Sequence, residues 1–126
     1  MKQSEPLSVI LKYFPDLSFE QINQLETLER IYIKWNQKIN VISRKDLDQF
    51  YTHHVLHSLS IAKFISFKEN TRLLDVGTGG GFPGIPLAIY FKKCSFTLID
   101  SIGKKIKVVN KVKSELKLNN VNTFHQ

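Results

Sequence analysis

The chain has 126 residues, 42% of them hydrophobic, one cysteine and a formal net charge of +7. That length predicts a single domain with a real core. A single cysteine excludes an intramolecular disulfide, no apolar run approaches the ~18 residues of a membrane span, and nothing at the N-terminus reads as a signal peptide, so a cytoplasmic protein away from membranes is expected. Residues 1–50 carry equal numbers of basic and acidic side chains, and the whole positive excess lies in residues 51–126. A basic half points to a polyanionic partner, although lysine-rich composition alone explains it equally well.

Residues 1–16 form a short lead. Leu7, Val9, Ile10, Leu11 and Phe14 predict a small packed helix stopped by Pro15. Ser18 followed by Gln21 makes a capping-box pattern. Ile22, Leu25, Leu28, Ile31, Trp35 and Ile39 then recur every three or four residues, which predicts one apolar face of a helix over 19–39. On that face Trp35 reads as core rather than as a stacking platform. Asn40 to Lys45 is a polar break, and Asp46 is placed to cap the next helix. A further helix is expected over 53–66, carrying His53, His54 and His57. His53 and His57 share one helix face, but no nearby Cys or carboxylate supplies an obvious third ligand, and no metal is expected.

Residues 67–72 link this helical part to an α/β part. Leu73, Leu74 and Val76 predict the end of a buried strand, Arg72 to Val76. The sequence then runs DVGTGGGFPGIPLA, Asp75 to Ala88. Glycines at 77, 79, 80 and 81 permit positive φ and clear side chains from where a ligand approaches the backbone. Pro83 and Pro86 suit a first helical turn, so a helix is predicted over 82–91. A strand over 95–100, a helix over 103–118 and a third strand beginning at Val121 follow. Strand, glycine loop and helix place a nucleotide-type ligand outside the carboxyl end of the first strand.

The loop contains G-x-G-x-x-G at Gly79, Gly81 and Gly84, which suggests a dinucleotide but is weak alone. The acid is more informative. A carboxylate at Asp75 repels a pyrophosphate and suits a cationic ligand such as S-adenosylmethionine, with its ammonium and sulfonium. Asp100 lies nineteen residues after Gly81, near the spacing of an acid on ribose hydroxyls. The alternative is that Asp75 caps a helix and Asp100 occupies a turn.

DVGTGGGFPGIPLA together with FTLIDSIGKKIKVVNKVKSELKL resembles the ribosomal RNA small-subunit methyltransferase G family, also called glucose-inhibited division protein B. WNQKINVIS (Trp35 to Ser43) and HHVLHSL (His53 to Leu59) agree, and Gly81 to Pro86 is the specific part of the match. The resemblance implies an α/β fold: a helical N-terminal lead over residues 1–70, then over 71–126 the first half of a Rossmann-like methyltransferase sheet, about three parallel strands. It implies an S-adenosylmethionine-dependent enzyme methylating N7 of a guanine in small-subunit (16S) ribosomal RNA. Asp75 would sit by the methionine amino group and Asp100 on the ribose. Gly77, Thr78, Gly79, Gly81 and Phe82 would line the cofactor, while Asn40 and His54 would face substrate. The chain departs from the family pattern at His53 and His57, where an arginine and an acid are usual.

The family sheet has seven strands, so this chain is expected to lack part of the adenine pocket and of the RNA surface, and to be weakly active or inactive alone. The first strand would be an unprotected apolar edge. Family members are usually monomeric, but this chain would dimerise or swap through that edge. The competing readings are a non-catalytic RNA- or partner-binding module using Lys104 to Lys117, and a nicotinamide oxidoreductase fragment.

Overall fold

A computed structural model describes residues 6–126. The first residues of the N-terminal lead, Met1 to Glu5, lie outside the described residues. The elements in order are α1 (Ser8–Tyr13), α2 (Phe19–Asn36), α3 (Arg44–Asp48), a helical segment α4, β1 (Arg72–Val76), α5 (Gly84–Tyr90), β2 (Ser95–Asp100), α6 (Gly103–Leu116) and β3 (Val121–His125). The α4 segment is wound first with π spacing (Tyr51–Leu56), then through one α turn (His57–Leu59), then through a tight 3₁₀ turn (Ser60–Lys63). It replaces the regular helix expected over 53–66 and begins two residues earlier.

Local chemistry sets most boundaries. The Ser18 hydroxyl accepts from the Gln21 amide, and the Gln21 side chain accepts from the Ser18 amide, closing the capping box. The Gln21 amide group also donates to the carbonyls of Ile89 and Tyr90, so one residue caps α2 and ties it to α5. α2 stops at Asn36, short of the expected Ile39. Asn36 Oδ1 accepts from the amides of Val41 and Ile42, and its Nδ2 donates to Ile42 O, which turns the chain there. α3 is capped by Ser43, whose hydroxyl accepts from the Asp46 amide, so Asp46 lies inside the first turn instead of capping it. α6 ends at Leu116 because Lys117 is left-handed, with φ 55°. α5 starts at Gly84, with Pro83 as its N-cap.

The three strands are parallel in the order β1-β2-β3. Right-handed crossovers in one direction put α5 and α6 on the same face of the sheet. That face carries Phe96, Leu98 and Val121, all buried, and α2 packs outside α5 and α6. Burial of Leu25, Leu28, Ile31, Ile85, Ile89, Val108, Val109 and Val112 joins the helical lead and the α/β part into one core.

The opposite face carries no layer among the described residues. Val76, Ile99 and Phe124 stand in register across it, and Leu74 and Val76 are 60% and 72% exposed. This corrects the reading of β1 as a buried strand. Apolar side chains alone do not say which face of a strand is covered, and β1 is also the edge of the sheet. Replacing both residues (Leu74→Lys, Val76→Lys) should leave the far-UV circular dichroism spectrum unchanged and lower the light-scattering mass of concentrated samples, because charge on an edge strand opposes strand pairing. A mass unaffected by the substitutions would show that β1 plays no part in self-association.

Candidate functional site

β1 and β2 end side by side, with Val76 paired to Ile99. The chain turns off β1 at Gly77, and the Ile99 carbonyl accepts from the amides of both Gly77 and Thr78. This anchors the loop Gly77–Gly81 across the carboxyl ends of the two strands. Gly77, Gly79 and Gly81 have φ of 74°, 61° and 112°. Added Cβ atoms at Gly77 and Gly79 would meet nothing within 4 Å. The loop therefore presents bare backbone to open space on one side.

Two carboxylates hold this loop. Asp75 Oδ2 accepts from the Thr78 hydroxyl at 2.7 Å and from the Gly84 amide at 3.0 Å, linking strand end, loop and first turn of α5. Burial raises the pKa of Asp75, the two hydrogen bonds oppose that rise, and the nearby Asp100 charge adds to it. Asp100 accepts from the Gly79 amide through Oδ2 and from the Ile102 amide through Oδ1, both at 2.8 Å. Its pKa is lowered, first by the Ile102 and Gly79 amides. The cap-and-turn geometry considered for these aspartates is present. An ionised carboxylate offers about four acceptor positions, so each retains capacity for a further donor.

Thr78 is buried and its hydroxyl is committed to Asp75. Beneath the loop lies an aromatic group. Phe82 stacks on Tyr32 (5.1 Å between centroids) and on His54 (4.8 Å). The Tyr32 hydroxyl donates to Gly80 O at 2.6 Å, and burial pushes its pKa upward. Tyr32 is a site-building residue that helical periodicity does not reveal. It lies four residues after Leu28, inside the apolar stripe, and only its hydroxyl hints at a polar task. Gly84 likewise stands in the glycine pattern, which does not announce the amide it gives to Asp75. An added Cβ there would stand 2.7 Å from Leu98 Cγ.

His54 lines a cleft of about 360 Å³ with His53, His57, Ser58, Phe82 and Pro83. A second cleft of about 190 Å³ beside Asp75 shares Ile61 and Pro83 with it, so the acid and the histidine cluster border adjoining spaces. Burial lowers the His54 pKa, with Asp46 partly opposing. Its Nε2 is buried without a hydrogen-bond partner among the described residues. His53 pairs with Asp46, Nδ1 to Oδ1, at 3.0 Å. Among the described residues, no group of three or more His, Cys, Asp and Glu side chains is arranged to hold a metal.

Asn40 is not brought to the loop. Its exposed side chain shares a separate cleft with Asn36 and Arg44, although the next residue, Val41, lies within 3.3 Å of where a Gly80 Cβ would stand. A roomier cleft of about 490 Å³, which includes Glu69, Lys93, Ser95 and Asn120, opens at the amino ends of the strands, away from the glycine loop. Ligands of parallel α/β sheets bind at the other end. Among the described residues, no helix is long and apolar enough to cross a membrane.

A family model described as rRNA small subunit methyltransferase G matches residues 21–126. Among curated relatives, the ribosomal RNA small subunit methyltransferase G of Cytophaga hutchinsonii is 59% identical over 119 residues, covering 94% of this chain and 58% of that protein. The protein of the same name from Flavobacterium psychrophilum is 64% identical over 112 residues, covering 89% and 54%. The chain thus spans a little over half the length of the curated relatives it matches. Among solved structures, a SAM dependent methyltransferase from Aquifex aeolicus superposes with a TM-score of 0.53 at 26% identity, covering 65% of this chain and 44% of that one. Coclaurine N-methyltransferase bound to N-methylheliamine and SAH shares the fold at 14% identity, with a TM-score of 0.52, over 95% of this chain and 43% of the other.

Proposed function

The chain belongs to the rRNA small subunit methyltransferase G family, and from that membership we propose that it forms the cofactor-holding part of an S-adenosylmethionine-dependent enzyme that methylates N7 of a guanine in small-subunit ribosomal RNA. The observation that carries this reading is the bare glycine loop pinned between Asp75 and Asp100 at the carboxyl ends of β1 and β2. Open space at Gly77 and Gly79 fits a ligand lying against backbone. A half-buried carboxylate whose charge is penalised by burial fits a cationic partner that offsets the penalty. In this reading Asp75 attracts the methionine ammonium, Asp100 accepts from ribose hydroxyls, and Gly77, Thr78, Gly79, Gly81 and Phe82 line the cofactor. Residues 1–70 act as a helical lead that braces residues 71–126.

The cofactor, when bound, supplies an electrophilic methyl on a sulfonium. Guanine N7 already holds a lone pair, so these residues need only bind, orient and exclude water, with the reacting atoms at about 3–3.5 Å. A guanine N7 would accept that methyl without losing a proton, so no side chain here would have to take one. The cleft bordered by His54 and Phe82 is where we place the base, which must be splayed from a loop because side chains cannot enter the A-form major groove. Asn40, in its separate cleft, has no part in this placement of the base. An RNA substrate of this kind supports the reading of a cytoplasmic protein.

Calorimetric titration with S-adenosylhomocysteine tests the reading. The chain should bind, and Asp100→Ala should weaken binding by about tenfold or more, because two loop amides lose a charged acceptor and the ribose loses its partner. A chain that is folded by circular dichroism yet shows no binding heat would mean that the half-site does not hold cofactor.

A further inference from the structure

α6 carries Lys104, Lys105, Lys107, Lys111 and Lys113. The fold gathers one of them, Lys111, with Lys34 of α2 and Lys38 of the turn after α2 around a single indole. Lys34, Lys38 and Lys111 place Nζ atoms 5.7, 4.9 and 5.7 Å from the centroid of Trp35. The ring is partly buried against the core, and each cation near its face is attracted to it. Three like charges around one ring nevertheless repel each other. Glu115 answers one of them, at 3.5 Å from Lys34. Lys38 and Lys111 make no ion pair among the described residues.

The position of the cluster matters as much as its charge. Lys104, Lys107 and Lys111 are spaced i, i+3 and i+7 and are all exposed, so they form a stripe along one face of α6. α6 begins just after Asp100, whose Oδ1 accepts from the Ile102 amide. The stripe therefore runs from the cofactor end of the sheet to Trp35. On α2, Trp35 lies one turn beyond Tyr32, whose hydroxyl holds Gly80 of the loop. α6 and the C-terminal end of α2 with the turn after it thus bring three ammonium groups to one patch beside the glycine loop, those of Lys38 and Lys111 without an ion pair among the described residues.

The geometry points to a docking site for the phosphate backbone of the RNA strand, in which Lys34, Lys38 and Lys111 contact phosphates and Trp35 is the post that holds their stems. This rests on the reading of the partner as RNA given above. Lysines are compact point charges on flexible stems, suited to phosphates without reading sequence. Packing the stems against an indole before binding reduces the rotamer entropy lost when phosphates arrive.

The test is titration of the chain with a short, fluorescently labelled single-stranded RNA over a series of salt concentrations. The variant Lys38→Ala/Lys111→Ala is compared with Lys68→Ala/Lys92→Ala, which removes the same charge elsewhere. For single strands, each phosphate contact contributes about 0.7 to the slope of log affinity against log salt, so the first pair should flatten that slope by about 1.4 and the second should leave it unchanged. Trp35 is the chain's single tryptophan, and its emission should change on RNA binding. Equal slopes for the two variants, no RNA binding by the folded chain, or unaltered tryptophan emission would overturn the proposal. Titrating the same samples with S-adenosylhomocysteine separates the two readings. Cofactor bound without lysine-dependent RNA binding removes the docking site alone. Lysine-dependent RNA binding without cofactor upholds the docking site and removes the cofactor assignment.

Discussion

Asp75→Asn should leave the chain as stable as the parent, or slightly more stable, while weakening S-adenosylhomocysteine binding by about 10- to 150-fold, equivalent to the roughly 1.5–3 kcal/mol of a hydrogen bond to a charged group. The two effects separate because the carboxylate has two tasks. Its structural task is to accept from the Thr78 hydroxyl and the Gly84 amide. An asparagine carbonyl still accepts from both donors, and the weaker bonds are offset by removal of a half-buried charge. Its electrostatic task is to present negative charge in a half-buried place, and the asparagine gives that up. In the ligand-free chain that charge is a cost: burial and the neighbouring Asp100 both raise the Asp75 pKa.

The sign of the pH dependence follows. A carboxyl whose folded pKa is raised binds protons more readily in the folded state, so its unfavourable contribution is present at neutral pH. It is relieved as pH falls through the folded pKa, and it levels off below the ordinary carboxylate value. Asp100, with its pKa lowered by two amides, has the opposite sign. Its stabilisation is present above the ordinary value and is lost as pH falls through its lower folded pKa. Asp75→Asn should therefore remove the acid-side gain and leave the acid-side loss. Urea midpoints across acid pH measure the first effect and calorimetry the second. Unchanged cofactor affinity in Asp75→Asn would sink the assignment of Asp75 to the ammonium. Asp75→Ala, by contrast, deprives Thr78 and Gly84 of their acceptor and should destabilise by about 1–3 kcal/mol.

The parts of this site that were legible in the sequence are those where residue type alone dictates geometry. Arg72–Val76 and Ser95–Asp100 are strands with the expected bounds, and the third begins at Val121 as expected, because short runs rich in apolar residues between turn residues have few other options. The acid-glycine loop was legible because positive φ at 77, 79 and 81 calls for glycine. What stayed hidden depends on which surfaces meet. Leu74 and Val76 are apolar yet exposed, since the covering of a sheet face is decided by helices placed elsewhere in the chain. Tyr32 and Gly80 are 48 residues apart, and nothing local to either announces their bond. The winding of α4 into π, α and 3₁₀ turns has no sequence mark of its own, although it sets His54 against Phe82. Asn120 reads as a turn residue, but its side chain also donates to the carbonyls of Ala88, Phe91 and Cys94, stitching the end of α5 to the start of β3.

Gly81→Ala should be the most disruptive single methyl in the loop, costing about 2–5 kcal/mol, whereas Gly79→Ala should cost about 1 kcal/mol. Both positions are left-handed, so both substitutions carry backbone strain. The difference is space. The new Cβ at Gly79 meets nothing within 4 Å. At Gly81 it would stand 2.8 Å from Ile85 Cγ1, 2.8 Å from Tyr32 Oη and 3.5 Å from Val109 Cγ2. Ile85 and Val109 are fully buried, and overpacking of this kind costs about 1–3 kcal/mol. The clash with Tyr32 adds a second penalty. Its hydroxyl must leave Gly80 O, and a buried hydroxyl without a partner costs about 1–3 kcal/mol more. Tyr32 also stacks on Phe50 and Phe82, and Phe82 on His54, so the displacement reaches the cleft proposed for the base. Against a total stability of about 5–15 kcal/mol, such a loss takes a large share of the folded state. Cofactor binding should invert the ranking relative to stability. Gly79→Ala stays folded but puts a methyl on the open side of the loop, so its affinity for S-adenosylhomocysteine should fall far more than its urea midpoint. In Gly81→Ala the two should fall together. Equal midpoints for the two variants would mean that Tyr32 and Ile85 yield without cost, and that the loop does not rest on the aromatic group beneath it.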